Sequence, residues 1–194
     1  MTNDTIADLE PAAQRVRELA AKVTDDQLDG PTPCTGMSIG QLLSHMLLLS
    51  EAFRDAARKV PSPGAPGEIP PLDPDWRTLL PRRLDELVTA WRDPAAHDGM
   101  TEAGGVTMPA PVAAAVALDE LVLHGWDLAR ATGQSYTCDP ASEAIVHEFV
   151  SQTVAENPDG TPGLFGPPVP VPADAPSFDK VLALSGRDPA LGRR

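Results

Sequence analysis

Apolar residues at helical spacing run the length of the segment from Ser38 to Val60: Ile39, Leu42, Leu43, Met46, Leu47, Leu49, Phe53, Ala56, Ala57 and Val60. A strand buries every second residue, whereas this stripe follows the 3.6-residue turn of an α-helix. Ser38 is suited to cap its start. The same period recurs from about Thr5 to Val23 through Ile6, Leu9, Ala13, Val16, Ala20 and Val23. It returns from about Asp75 to Trp91 through Leu79, Leu80, Leu84, Leu87, Val88 and Trp91, and again from about Pro109 to Thr132, with Gly133 as a stop. A fifth helix is expected over about Pro140 to Glu156 and a short last one over about Phe178 to Ser185. No segment shows a convincing strand pattern. The expected fold is therefore all-α: four main helices in an antiparallel bundle, with extra helices attached.

Composition agrees with that class. Aromatic residues make up only 4% of the chain, so the core must rest on Leu, Val and Ala. A length of 194 residues suits one domain over 1–194, with the Pro-rich loop and tail of 157–194 packed on it. The net charge of −13 argues against nucleic acid, whose phosphates require clustered Lys and Arg. No apolar run approaches the roughly 18 residues of a membrane span, and no basic-then-apolar leader is seen, so a cytoplasmic location is expected. Cys34 and Cys138 form no Cys-x-x-Cys unit, and free thiols are expected of both.

Chemistry concentrates in Leu118-Asp-Glu-Leu-Val-Leu-His-Gly-Trp-Asp-Leu-Ala-Arg130. Glu120 and His124 are four residues apart, so on a helix they leave one face with Cβ atoms about 5–6 Å apart. A carboxylate and an imidazole so placed can close on one divalent cation, although a solvated helix-surface pair is the ordinary explanation of the spacing. A third ligand must come from elsewhere, and of His45, His97 and His147 only His45 lies at the edge of a strongly periodic stripe. Asp127 shares the face of His124, beside Ala113 and Ala117. Polar groups flanked by alanines are what a pocket wall requires.

Thr32-Pro-Cys-x-x-Met-x-Ile-x-x-Leu-x-x-His45, followed by Glu120-x-x-x-His124-Gly-Trp-Asp127, resembles the DinB-like, mycothiol-dependent maleylpyruvate isomerase superfamily. The tail, Phe165-Gly-Pro-x-Val-Pro-Val-Pro172 and Leu182-Ala-Leu-Ser-Gly-Arg-Asp-Pro189, resembles its short actinobacterial metal-binding branch. The resemblance implies a four-helix bundle in which His45, Glu120 and His124 hold a divalent metal, typically zinc, though nickel or another ion would also suit. An open position would take water or a small thiol such as mycothiol. Such a site is catalytic in type, and it would present a thiolate to an electrophilic substrate in the manner of an S-transferase or isomerase, in detoxification or natural-product synthesis. Two departures stand out: Met37 replaces the family's usual Trp, and no room is left for the separate substrate-binding domain of the maleylpyruvate isomerases. The rival readings are a hydrolase or lyase using metal-bound hydroxide, and a non-catalytic metal- or small-molecule-binding protein, for which a homodimer is one expected form.

Among the remaining residues, Asp127 is expected to orient His124 and tune catalysis. Cys34 is expected to be an apolar filler after the Thr-Pro turn, and Trp126 a packing residue near the site. Gln41 and Asp55 lie on the His45 side of their helix, with surface roles expected of both. Arg187 is expected to anchor the tail, and a basic group there would also suit a substrate carboxylate. His97, in an exposed loop, and His147 are expected to be bystanders.

Overall fold

Four helices whose apolar stripes face one another bury most of the core. The computed structural model describes residues 7–61 and 68–191. Its helices are α1 (Glu10–Ala20), α2 (Ile39–Ala57), α3 (Trp76–Trp91), α4 (Ala110–Ala131), α5 (Pro140–Glu156) and α6 (Ser177–Leu184). The first expected helix starts later than its sequence pattern, at Glu10, and Thr5 and Ile6 lie outside the described residues. The other helix ends agree with expectation to within a few residues. Ser38 caps α2 as anticipated: its hydroxyl accepts from the Gln41 backbone N–H at 3.3 Å, while Gln41 Oε1 accepts from the Ser38 N–H at 2.9 Å.

In the bundle, α2 packs on α3 and α4, and α1 packs on α4 and α3. Val16, Leu19, Leu42, Leu43, Leu80, Leu84, Leu118 and Val122 meet at its centre, all fully buried. α5 lies on the outer side of α4, and α6 lies on α5. Flanked by α1, α2 and α5, α4 is buried on nearly every side, which is why its sequence is apolar almost all round. A polar side chain on this helix must therefore find a partner or a cavity.

One element departs from the all-helical expectation. A two-stranded antiparallel hairpin, β1 (Met100–Ala103) and β2 (Val106–Pro109), precedes α4, with Ala103 opposite Val106. Gly104 and Gly105 turn it, with φ of 56° and 81°, the left-handed geometry that two-residue hairpin turns demand. The strands are four residues each, and only β1 buries side chains, Thr101 and Ala103, so alternation is too short to read; the Gly-Gly pair was the available signal. The segment also brings His97 back against the body, in a 3-10 turn (Pro94–His97) where Nε2 lies 2.9 Å from the Trp91 carbonyl. His97 is thus half-buried, and not in an exposed loop. No helix among the described residues is long and apolar enough to cross a membrane.

Candidate metal centre

The connector before α2 is laced to that helix. The Ile39 N–H donates to the Gly30 carbonyl at 2.9 Å and the Gly40 N–H to that of Leu28 at 2.8 Å. The Thr32 hydroxyl lies 3.0 Å from the Cys34 carbonyl and 2.9 Å from that of Met37. This turn holds Met37 against the core and turns Cys34 towards the cavity between α2 and α4. Two turns further along, α2 presents His45 to the same space.

Opposite, α4 presents Glu120 and His124. His124 Nε2 is 2.9 Å from Glu120 Oε2, and His45 Nε2 is 3.8 Å from the same oxygen. The two imidazole rings meet edge to face at 5.0 Å between centroids. One ligand atom from each of His45, Glu120 and His124 lies within 4.8 Å of the others. Two nitrogens and a carboxylate oxygen so gathered suit a divalent ion of the zinc class.

The other face of His124 is fixed by Asp127, whose Oδ2 is 3.0 Å from Nδ1. Asp127 is wholly buried and receives both Arg187 Nε at 3.0 Å and Nη2 at 2.8 Å. Arg187 Nη1 in turn reaches Ser185 Oγ at 3.2 Å. The expected tail anchor is therefore bound to the expected orienting carboxylate, and the chain His124–Asp127–Arg187 leaves Nε2 facing Glu120 and His45. A ligand histidine held through its second nitrogen by a carboxylate is a recurrent device of metal sites.

Charges follow from these contacts. Burial alone would lower the pKa of His124, but hydrogen bonds to Asp127 and Glu120 outweigh it and hold it up at about 9. Burial works against ionised Glu120 too, and its hydrogen bonds to His124 and His45 keep the carboxyl well below the usual range. For Asp127, burial is overcome by Arg187 and His124, which hold the carboxyl down. The Cys34 thiol is pushed up by burial and then by Asp127. Cys138, distant from the site, is pushed up to about 12 by burial and Asp139, as suits an inert thiol. Both cysteines are free.

The triad opens on a cavity of about 330 Å³, a volume at the lower end of small-molecule sites. Its walls come from Cys34, Thr35 and Met37, from the α4 face with Asp119, Glu120, Leu123 and His124, from the loop 163–166, and from Arg187. Ala113 and Ala117 do not make this space, as the sequence suggested; both are packed in the core. Cys34 is a wall residue beside His124 and Asp127, not merely an apolar filler. Gln41 is exposed and holds the α2 cap, Asp55 pairs with Arg54, and His147 is exposed. Trp126 is buried as expected.

Two wall elements escaped the sequence. Asp119, one residue before Glu120, is 2% exposed, and its Oδ1 has no hydrogen-bond partner among the described residues. Burial, and then the neighbouring Glu120, push its carboxyl well above the usual range. Its signal was an acid set directly before Glu120 in a helix whose sequence is apolar almost all round. The other element is the Gly163-Leu-Phe-Gly166 loop. It reaches the site because Gly186, at φ 84°, packs so closely on Gly166 that a Cβ on Gly186 would stand 2.8 Å from the Gly166 Cα.

Comparison with known proteins agrees with this architecture. A family model described as the mycothiol maleylpyruvate isomerase N-terminal domain matches residues 9–129. Uncharacterized proteins from two strains of Mycobacterium tuberculosis are each 31% identical over 182 residues, covering 87% of this chain and 90% of theirs. Among solved structures, the mycothiol-dependent maleylpyruvate isomerase superposes with a TM-score of 0.57 at 15% identity, over 76% of this chain and 69% of that one. A single-residue variant of that enzyme superposes equally well, at 14% identity. The likeness shows the fold, a DinB-like helical bundle.

Proposed function

Because this chain belongs to the mycothiol maleylpyruvate isomerase N-terminal domain family, we propose that it is a metal-dependent enzyme of the thiol S-transferase or isomerase kind, using mycothiol or a similar small thiol in the cytoplasm. The observation that carries this reading is the convergence of His45, Glu120 and His124 within 4.8 Å on the wall of a cavity that can admit a small molecule. These three residues would hold the ion, with zinc the best match to two imidazoles and a carboxylate. Such an ion, when bound, supplies a Lewis acid that favours the thiolate form of a thiol at neutral pH.

The remaining roles belong to the chain's own groups. Asp127 accepts from His124 Nδ1 and so fixes the tautomer whose Nε2 faces the cavity. Arg187 keeps Asp127 ionised, which keeps that hydrogen bond strong. Leu123, Met37 and Phe165 supply apolar wall, which strengthens electrostatic contacts inside. An electrophilic substrate would enter beside them.

The test is to load the protein with cobalt(II) and titrate it with mycothiol. A near-ultraviolet sulfur-to-metal band is expected, with close to one ion per chain by elemental analysis, and His45→Ala and His124→Ala should lose both. Full metal content in both variants would remove the ligand assignment. A loaded parent with no spectral response to mycothiol and no conjugation of electrophiles would remove the thiol assignment, leaving a hydrolytic or purely binding role.

A further inference from the structure

The polar groups around the triad are almost all matched to one another. Glu120 faces His124 and His45, and Asp127 takes His124 and two nitrogens of Arg187, whose third nitrogen lies against Ser185 Oγ. Asp119 makes none of these hydrogen bonds, although Arg187 and His124 favour its charge while Glu120 and Asp127 oppose it. It is buried on the same helix, it lines the same cavity, and its Oδ1 meets no donor among the described residues. A buried carboxyl oxygen without a donor lowers folding stability. At a position on α4 flanked by Leu118 and close to Leu123, an apolar residue would pack without that cost. What Asp119 adds is a buried carboxyl on the cavity wall whose Oδ1 still lacks a donor among the described residues.

We infer that Asp119 is a specificity-determining residue that accepts a hydrogen bond from a hydroxyl or amide N–H of the cavity's ligand, so that the site selects a donor-bearing thiol over a plain alkyl thiol. This rests on the thiol reading of the site given above. Mycothiol, with its amides and sugar hydroxyls, meets the requirement, and propanethiol does not. A site built around such a contact discriminates strongly, because the analogue without the donor leaves the buried acceptor unpaired.

Three measurements on the parent, Asp119→Leu and Asp119→Asn test it: zinc content, melting of the metal-free chains, and calorimetric binding of mycothiol and propanethiol to the zinc-loaded chains. Both variants should load zinc like the parent, since Asp119 is not among the ligand atoms. Metal-free Asp119→Leu should melt at or above the parent temperature. Mycothiol should bind Asp119→Leu about tenfold to a hundredfold more weakly, and propanethiol should bind parent and variant alike. Asp119→Asn, which keeps an acceptor oxygen in the same place, should bind mycothiol more tightly than Asp119→Leu.

Melting of Asp119→Leu well below the parent would overturn the inference, since the carboxyl would then have a structural partner. Equal mycothiol affinity in parent and both variants would also overturn it, as would an equal loss of propanethiol binding. If the zinc-loaded parent binds neither thiol, the thiol reading itself falls and takes this inference with it. Binding by the parent that is unchanged in the variants removes the inference alone.

Discussion

At the scale of single residues, the triad proposed to hold a metal would tie proton balance to both stability and metal affinity. In the metal-free chain His124 is held up at about 9 against an ordinary value of 6.5. A raised imidazole contributes stability that is fully present below about pH 6.5 and is lost as pH rises through about 9. Glu120 is depressed, so its contribution is present above its ordinary value of 4.5 and fades as pH falls below that. The metal-free protein should therefore lose melting temperature between about pH 6.5 and 9, and His124→Gln should flatten that slope. Metal binding must displace the proton from His124 Nε2, so affinity should rise across the same window. Calorimetry in buffers of different ionisation enthalpy would register the released proton, and a pH-independent affinity would contradict it. Asp127→Asn should weaken metal binding by roughly 10–100-fold, as changes to a group that orients a ligand histidine do; elemental analysis after dialysis against a chelator checks it.

Much of this was legible from residue spacing. Glu120 and His124 are one helical turn apart, and that alone brings them together on any helix. His45 stood out as the histidine at the edge of a periodic stripe, but the resemblance was needed to place it with Glu120 and His124, because nothing in the spacing of α2 says which helix it will face. For Asp119 the sequence offers only an acid beside Glu120, and its lack of a partner exists only once α2, the connector and the 163–166 loop close around it.

Helices could be read with more security than their connections. The stripes of α2, α3 and α4 fixed their extent because burial on one face imposes the period directly. The hairpin escaped because four-residue strands on the rim gain little from alternation, and their pairing rests on the two glycines of the turn. The α2 cap has a functional consequence, since the same first turn carries the connector that places Cys34 and Met37. Replacing Ser38 with Ala should cost about 1 kcal/mol. Urea unfolding would measure the loss, and faster hydrogen exchange at Ile39 to Gln41 would localise it to the start of the helix. Unchanged stability would mean that the connector hydrogen bonds from Ile39 and Gly40 hold the helix start without the cap.

Across the whole molecule, the site depends on a contact between α4 and the tail, sixty residues apart in sequence. Arg187→Ala removes one side of a buried pair and leaves the wholly buried Asp127 with His124 alone. A loss of about 3–5 kcal/mol is expected, measured by urea unfolding. The bundle core should survive it, because Val16, Leu42, Leu84 and Leu118 belong to the apolar cluster of the main helices; the far-ultraviolet circular dichroism should stay helical at low temperature.

The Gly166–Gly186 contact places the residue next to Arg187 within a space that admits no methyl group. The reach of the guanidinium towards Asp127 is therefore set by backbone thickness rather than by charge. In a saturation library, position 186 should tolerate no replacement, including residues of the gentlest chemistry, while neighbouring Asp188 accepts many. A second mutation elsewhere in the tail would not rescue the loss, because the obstruction lies in main-chain atoms that cannot repack.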